Sequence, residues 1–152
     1  MARFNIVKAK LEHVDFVAKN IRAEDAAEVK AVSYLSPGEA LEMSFFVSDP
    51  CHTILYKDEP VGCFGVAPMG EGKGSPWLLA TDRIKDMPMY FIRSSKQYIE
   101  NMLKEYKFLE NWVALDNTIS IKWLKWVGFK IEEPEVYGLN GELFCRFWLR
   151  RE

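Results

Sequence analysis

The sequence predicts one α/β domain over residues 1–152, with helices packed around a central sheet. The first observation is that short runs rich in strand formers alternate with longer segments whose apolar residues recur at helical spacing. The second is that turn sequences separate two pairs of these strands, which makes each pair an antiparallel hairpin. The third is length, since a chain of 152 residues buries roughly 68–70% of its unfolded surface without metals or disulfides.

The N-terminal third of the chain predicts one strand followed by three helices. Glu24 and Asp25 favour the first turn of a helix, where acidic side chains face the positive end of the helix dipole. Ser36 is a good N-cap and Pro37 fits the first helical position. The predicted bounds are 3–10 for the strand and 11–21, about 24–32, and 37–47 for the helices.

The middle third predicts three strands and one loop. The sequence Lys57-Asp58-Glu59-Pro60 is a turn between two apolar runs, which together form a hairpin. Residues 69–75 are polar and dense in glycine, but they lack the Gly-Lys-Ser/Thr ending and the following helix of a phosphate-binding loop, so a flexible hairpin loop is predicted there. The predicted strands are 53–56, 61–66 and 77–81.

The C-terminal third predicts helix, strand, helix and a closing hairpin. Pro88 suits the start of a long helix, and Gly128 is the usual residue for a left-handed helix end. Asn140-Gly141 is a strong hairpin signal and joins the last two predicted strands. The predicted elements are a helix over 89–106, a strand over 112–115, a helix from Asn117 to Gly128, a strand from Phe129 and a strand over 142–150.

Charge and cysteine content exclude several classes of protein. The net charge of −2, with Lys and Arg scattered along the chain, gives no case for nucleic-acid binding. Three cysteines and no secretory leader pattern indicate the reducing cytoplasm, and no membrane association is predicted. With only His13 and His52, well separated, no metal site is expected.

The stretch from 109 to 129 carries a resemblance to a known family. It reads as a strand, then Asn117, one amphipathic helix, and Gly128-Phe129 leading into another strand. This order resembles the C-terminal half of the GNAT superfamily of acetyl-CoA-dependent N-acetyltransferases, and the element order follows that family over essentially the whole chain. The resemblance implies a mixed, mostly antiparallel central sheet flanked by helices, in the order β-α-α-(α)-β-β-β-α-β-α-β-β.

A narrower resemblance concerns three segments. Residues 22–28, 77–82 and 113–128 look like the small GNAT-like proteins of short-tailed phages known as internal virion or internal core protein A. This resemblance implies a phage protein that acts in the host cytoplasm or is packaged in the virion.

The family resemblance also implies where acetyl-CoA would bind. In GNAT enzymes the strands corresponding to 77–81 and 112–115 splay apart, and pantetheine bonds to the exposed strand edge, here Leu79, Ala80 and Thr81. The pyrophosphate sits at the start of the following helix, where Arg83 and Lys85 are the nearby cations. Asn117 matches the family asparagine that contacts pantetheine, and it could equally cap the helix it precedes.

Two family features are missing from the sequence. The segment 82–90, which corresponds to the pyrophosphate loop, contains no glycine, and its Pro88 has no N–H to donate. Leu124 stands where the family often places a tyrosine that protonates the leaving thiolate. Catalytic residues are therefore not assigned from the sequence. The candidate bases are Asp82, Glu110 and Asp116, with a helix cap favoured for Asp116, and the possible substitute acids are Tyr90, Tyr98 and Tyr137.

Two hypotheses follow from these observations. The first is an acetyltransferase that binds acetyl-CoA and acylates an unknown amine, mainly by positioning the reactants. The second is a member without catalysis that keeps the fold as a virion, assembly or host-factor-binding protein. The aromatic and basic outer face of the last strand, Phe144, Arg146, Trp148 and Arg150, also suggests cover by a partner or a second copy of the chain.

Overall fold

A computed structural model describes residues 3–152 and confirms the mixed α/β fold. The strands are β1 (Phe4–Lys8), β2 (Cys51–Tyr56), β3 (Glu59–Gly70), β4 (Lys73–Ala80), β5 (Phe108–Ala114), β6 (Lys130–Ile131), β7 (Glu135–Val136) and β8 (Leu143–Arg150). The helices are α1 (Leu11–Lys19), α2 (Ala23–Val32), α3 (Pro37–Val47), α4 (Met89–Glu105) and α5 (Thr118–Trp126), with a 3-10 helix at Asp82–Asp86.

The strands form one sheet in the order β1-β2-β3-β4-β5-β8-β6, and β7 pairs with β8. Every pairing is antiparallel except that of β4 with β5, which is parallel. The mostly antiparallel sheet follows from the hairpins, whereas β4 and β5 are joined through α4 and so run in the same direction.

Helices cover both faces of the sheet. On one face α1 and α3 bury Val14, Val17 and Leu41 against Cys63. On the other face α4 and α5 contribute the second and largest part of the core. Its buried members are Val66, Ile99, Met102, Leu109, Val113, Leu124, Val127, Phe129, Cys145 and Phe147. The joint between β4 and β5, meaning the place where these two strands pair, therefore lies in the interior of the sheet, and helices cover both of its faces.

The structure corrects three sequence predictions. Residues 69–75 are not a flexible loop, since β3 and β4 continue through them to a tight turn at Glu71-Gly72, both at positive φ. Strand β5 begins at Phe108, because its polar residues find partners across the sheet. The strand after Gly128 is only two residues long, and the loop with Asn140-Gly141 joins the extra strand β7 to β8.

The closing strand is partly covered by the chain itself. Phe144 is buried and contacts the ring of Tyr137. Arg146 pairs with Glu110, and Trp148 stacks on Phe108. Cover by a partner or a second copy stays a prediction. Within residues 3–152, no helix is long and apolar enough to cross a membrane.

Candidate functional site at the splayed strands

Strands β4 and β5 touch at one end and then separate. Their pairing is limited to Lys73 with Phe108 and Gly74 with Leu109. Pro76 has no N–H, so a backbone ladder cannot continue through it. Instead the side chain of Asn111 crosses the opening: its Nδ2 donates to the Pro76 carbonyl (2.7 Å) and its Oδ1 accepts from the Trp112 N–H (2.8 Å). Beyond this crossing lies a cavity of about 190 Å³ between the two strands.

Successive residues of a β-strand direct their backbone N–H and C=O groups to opposite edges, so only every second residue of β4 can form hydrogen bonds in the gap. The Thr81 N–H donates to the Val61 carbonyl (2.8 Å), so Thr81 and Leu79 direct their backbone groups toward β3. Leu78 and Ala80, one residue out of phase, face the gap. Of the three residues that the sequence assigned to pantetheine, Leu79, Ala80 and Thr81, only Ala80 therefore presents its amide and carbonyl to the gap.

The backbone of Ala80 is already bonded to the segment that leads into α2. The Arg22 N–H donates to the Ala80 carbonyl (2.9 Å), and the Ala80 N–H donates to Asp25 Oδ2 (2.8 Å). Ile21 and Thr81 form an antiparallel bridge. The linker between α1 and α2 thus lies against the end of β4 as a very short added strand.

Helix α2 also covers the edge of β5, through the side chain of Glu28. The Ala114 N–H donates to Glu28 Oε2 (3.0 Å), and Asn117 Nδ2 donates to Glu28 Oε1 (2.7 Å). Asn117 also caps α5, because its Oδ1 accepts from the Ser120 N–H (3.4 Å). The cap role of Asn117 is confirmed, whereas the favoured assignment of Asp116 as the cap is wrong, since Asp116 lies in an exposed turn.

Three ionisable side chains lie together here, and we define them as the plug: Arg22 and Asp25, which are buried, and Glu28, which is half-buried. Arg22 Nη2 lies 2.9 Å from Asp25 Oδ1, and both residues are at least nine-tenths buried. Burial raises the pKa of Asp25 and of Glu28, although hydrogen bonds to each carboxylate oppose the rise. Burial lowers the pKa of Arg22, but the hydrogen bond to Asp25 and the negative charges of Asp25, Glu24 and Glu28 together outweigh it, so the net pKa is raised. Within residues 3–152, Arg22 Nε has no hydrogen-bond partner.

The raised pKa of Glu28 predicts how the free energy of unfolding changes with pH. Because the folded state holds the Glu28 proton more tightly than the unfolded state, its burial penalty shrinks as pH falls from 7 toward the ordinary value of 4.5. The free energy of unfolding of the wild type, minus that of Glu28→Ala, is therefore expected to grow over this range. Urea unfolding at several pH values measures it.

Glu24→Ala is the matched control for that measurement. A hydrogen bond from its own backbone lowers the pKa of Glu24. The free energy of unfolding of the wild type, minus that of Glu24→Ala, should therefore shrink slightly as pH falls. Equal pH dependence for Glu28→Ala and the wild type would contradict the raised pKa.

The segment that the sequence assigned to pyrophosphate carries exposed cations in weak pairs. Arg83 lies over the ring of Tyr56 and is 3.8 Å from Glu59, and Lys85 is 3.5 Å from Asp82. Thr81 Oγ1 accepts from the Arg83 N–H and so caps the 3-10 helix that occupies this segment. The start of α4 carries no side-chain cap, but Pro88 precedes it in place of the glycines expected for close backbone contact with phosphate.

The other sequence candidates do not meet in the gap. Asp82 is exposed, and Glu110 is paired with Arg146. Leu124 is buried in the core. The side chains of the three candidate tyrosines are dispersed: Tyr90 is exposed, Tyr98 packs on His52 and Phe64, and Tyr137 stacks on Trp112. Among residues 3–152 no group of three or more His, Cys, Asp or Glu could hold a metal ion.

Sequence reasoning missed the plug residues. A signal for them was present, because Arg22, Asp25 and Glu28 are three residues apart and so share one face of a helix. The contact of this face with the splayed strands β4 and β5 is visible only in the tertiary structure.

Pantetheine does not fit the gap in this conformation. The ligand would need backbone groups along the edge of β4, and those of Ala80 are bonded to Arg22 and Asp25. The Pro76 carbonyl is bonded to Asn111. Leu78, between them, is the residue of that edge whose backbone is left without a neighbouring strand.

Beyond Glu28, on the other side of α2, lies an open groove with an acidic lining. Glu28 borders both the gap and this groove. The groove also carries Glu24, Asp116 and Glu142, and no Lys or Arg is among its described lining residues. Its floor is formed by the alanines of α2.

Comparison with solved structures gives the fold of this chain. An N-acetyltransferase from Staphylococcus aureus Mu50 matches with a TM-score of 0.73 and 14% identity, covering 98% of this chain and 99% of that one. An acetyltransferase of the GNAT family from Streptococcus pneumoniae matches with a TM-score of 0.69 and 10% identity, covering 97% and 99%. Spermidine N-acetyltransferase from Vibrio cholerae, in complex with CoA and spermine, gives 0.68 and 11%, covering 97% and 95%. The chain has the GNAT fold.

Comparison of the sequence with protein families gives a different relative. The family described as bacteriophage T7, probable scaffold protein Gp13, matches residues 63–134, which is the part of the chain from β3 to the end of the β6 region. A search of curated proteins finds no significant match.

Proposed function

We propose that this protein works by binding other proteins during assembly of a bacteriophage particle, and that it does not transfer acyl groups. The observation that carries the proposal is the pairing of the α1–α2 linker with the edge of β4. In this position the chain makes for itself the backbone bonds that a cofactor would make.

The energetics of the plug support a closed gap. Admitting pantetheine would separate the Ala80 backbone from Arg22 and Asp25. Leaving a buried donor or acceptor without a partner costs roughly 1–3 kcal/mol for each group. A ligand would have to offset this cost, and the segment at 82–90 offers no glycine-lined loop for its phosphates.

The phage context comes from two comparisons of different kinds. The scaffold-protein family matches the middle of the chain, and three segments of the sequence resemble the internal virion proteins of short-tailed phages. The partner in this proposal is another protein of the particle or a host factor, and the site of action is the virion or the host cytoplasm. Residues 1–152 would serve as one domain in that role.

Thermal unfolding with acetyl-CoA tests the absence of cofactor binding. A ligand at about 100 times its dissociation constant adds roughly 2.7 kcal/mol, which for a chain of this size raises the unfolding midpoint by roughly 5–11 °C. We expect a shift below about 1 °C at millimolar acetyl-CoA, because the edge of β4 is occupied. The spermidine N-acetyltransferase is a suitable positive control, and a saturable rise of several degrees would contradict the proposal.

The assembly role has its own test. In the virus that encodes the chain, deletion of its gene should leave acyl modification of proteins unchanged but yield particles of altered protein composition. Quantitative mass spectrometry of purified particles measures the second effect. Particles identical in composition and infectivity to the wild type would overturn an assembly role.

N-acyl transfer to an amine is the second candidate function. Two observations favour it: the strands splay as in CoA-binding relatives, and Glu28 separates the gap from an acidic groove suited to a cationic amine. It requires α2 to move away from β4. Saturable binding of acetyl-CoA, followed by acyl transfer to a polyamine or peptide amine that Glu28→Ala abolishes, would establish it in place of the first.

A further inference from the structure

A second cavity, of about 200 Å³, lies under the N-terminal half of α4. Its floor is the sheet face of β1 to β4, where it is lined by Ile6, Ile54, Phe64 and Leu78. Its roof includes Phe91 and Ile99 of α4. It adjoins the gap between β4 and β5, with which it shares five lining residues: Arg22, Leu78, Ile99, Ser120 and Trp123.

The cavity is partly open to solvent, and its volume exceeds that of the voids left by ordinary core packing. Protein interiors contain few voids larger than one water molecule. A dry cavity of about 150 Å³ lined by aliphatic and aromatic side chains takes up benzene, so by proportion about 200 Å³ accommodates roughly eight carbon atoms. The shape of the space, between a flat sheet and one helix, favours an extended chain.

Most of the polar groups that border the cavity are already bonded. Ser94 and Ser95 donate to carbonyls one turn earlier in α4. Lys85, at the mouth, lies near Glu24 and Asp82 on the surface. The walls therefore present mainly hydrocarbon, which makes water a poor occupant.

The exception is a buried hydrogen-bond donor at the corner where this cavity meets the gap. Arg22 borders both cavities and is 94% buried, since its relative exposure is 6%. Its Nε–H has no hydrogen-bond partner in the part of the chain that the structure describes. A buried donor in this state gains from any acceptor that reaches it. Because Asp25 already neutralises the guanidinium at 2.9 Å, a neutral carbonyl oxygen suits this corner better than a second carboxylate.

We propose that the cavity under α4 binds an unbranched apolar chain of roughly six to eight carbons whose neutral carbonyl head group is directed toward Arg22. This ligand class comprises amides and esters of medium-chain acids. Leu78 is the β4 residue that lines this cavity, and the proposed contacts do not use its backbone groups, so the site goes beyond the proposed assembly function.

Methyl NMR titration of the full-length protein with straight-chain amides, from butanamide through hexanamide and octanamide to decanamide, tests the proposal. Burial of one more methylene should tighten binding about fourfold until the cavity is full, after which the gain should stop at roughly eight carbons. The methyl signals of Ile54 and Ile99 should shift. Carboxylates of the same lengths should bind more weakly than the amides.

Two variants locate the site. Ser95→Phe places a ring in the cavity from the half-buried side of α4 and should abolish binding. Gln97→Phe adds the same ring on an exposed position of the same helix that does not border the cavity, and binding should remain unchanged.

Each contrary result overturns a defined part of the proposal. Affinity that does not depend on chain length, or shifts confined to methyls elsewhere, would exclude the cavity as the site, and this result does not depend on any variant folding. Unchanged binding by Ser95→Phe would do the same. Tighter binding of carboxylates than of amides would exclude the neutral head group.

Discussion

Replacing Asp25 with alanine is expected to lower the free energy of unfolding by roughly 3–5 kcal/mol, because removing one partner of a buried ion pair leaves the other charge uncompensated. Arg22 would keep its charge in a position that is more than nine-tenths buried. The Ala80 N–H would also lose its acceptor. For a chain of this size the unfolding midpoint should fall by roughly 6–20 °C, as measured by calorimetry.

Glu24→Ala is the matched control, since it removes a carboxylate from the neighbouring position of the same helix. The Glu24 side chain is 41% exposed and its distance to Lys85 is 3.7 Å, so the expected change is within about 0.5 kcal/mol.

A double-mutant cycle separates the ion pair from other effects of Asp25. Replacing both Arg22 and Asp25 with apolar residues should be less destabilising than Asp25→Ala alone, since no unpaired charge remains. If Asp25→Ala were as stable as the wild type, α2 would not be held against β4 by this pair. The plug would then be open in solution, and the second candidate function would gain support.

Leu109→Ala is expected to destabilise the protein by about 2–5 kcal/mol, the range for truncation of a fully buried leucine. Leu109 has no exposed surface and lies opposite Gly74 at the short parallel joint of β4 and β5. A Cβ at Gly74 would come within 3.0 Å of Val66 and Tyr106, so the joint is already tightly packed and the cavity left by the truncation cannot collapse easily.

Urea unfolding of Leu109→Ala alongside Leu139→Ala measures this effect. Leu139 is 45% exposed, so the same truncation there should cost less than about 1 kcal/mol. Equal losses for the two variants would show that the joint is not a rigid part of the core, and that the two halves of the sheet are held together mainly by the helices.

The fold could largely be predicted from the sequence because its signals are local. Ser36-Pro37 starts α3 at the predicted residue, and the capping box of Ser36 with Glu39 explains why. Gly128, at φ 110°, ends the helix as predicted. The errors lie where distant partners override local preference, as in β5, whose polar Glu110 and Asn111 are satisfied by Arg146 and Pro76.

The candidate site was predicted only in part, and for the same reason. The order of strands and helices, the lack of glycine in 82–90 and the Leu124 that replaces a tyrosine can all be read from the amino-acid order. The shared helix face of Arg22, Asp25 and Glu28 can be read there too, since it depends on spacing alone. What that face contacts depends on the three-dimensional packing. The hydrogen bonds of Asp25 to Ala80 and of Glu28 to Ala114 span 55 and 86 residues, and no local pattern encodes contacts at that separation.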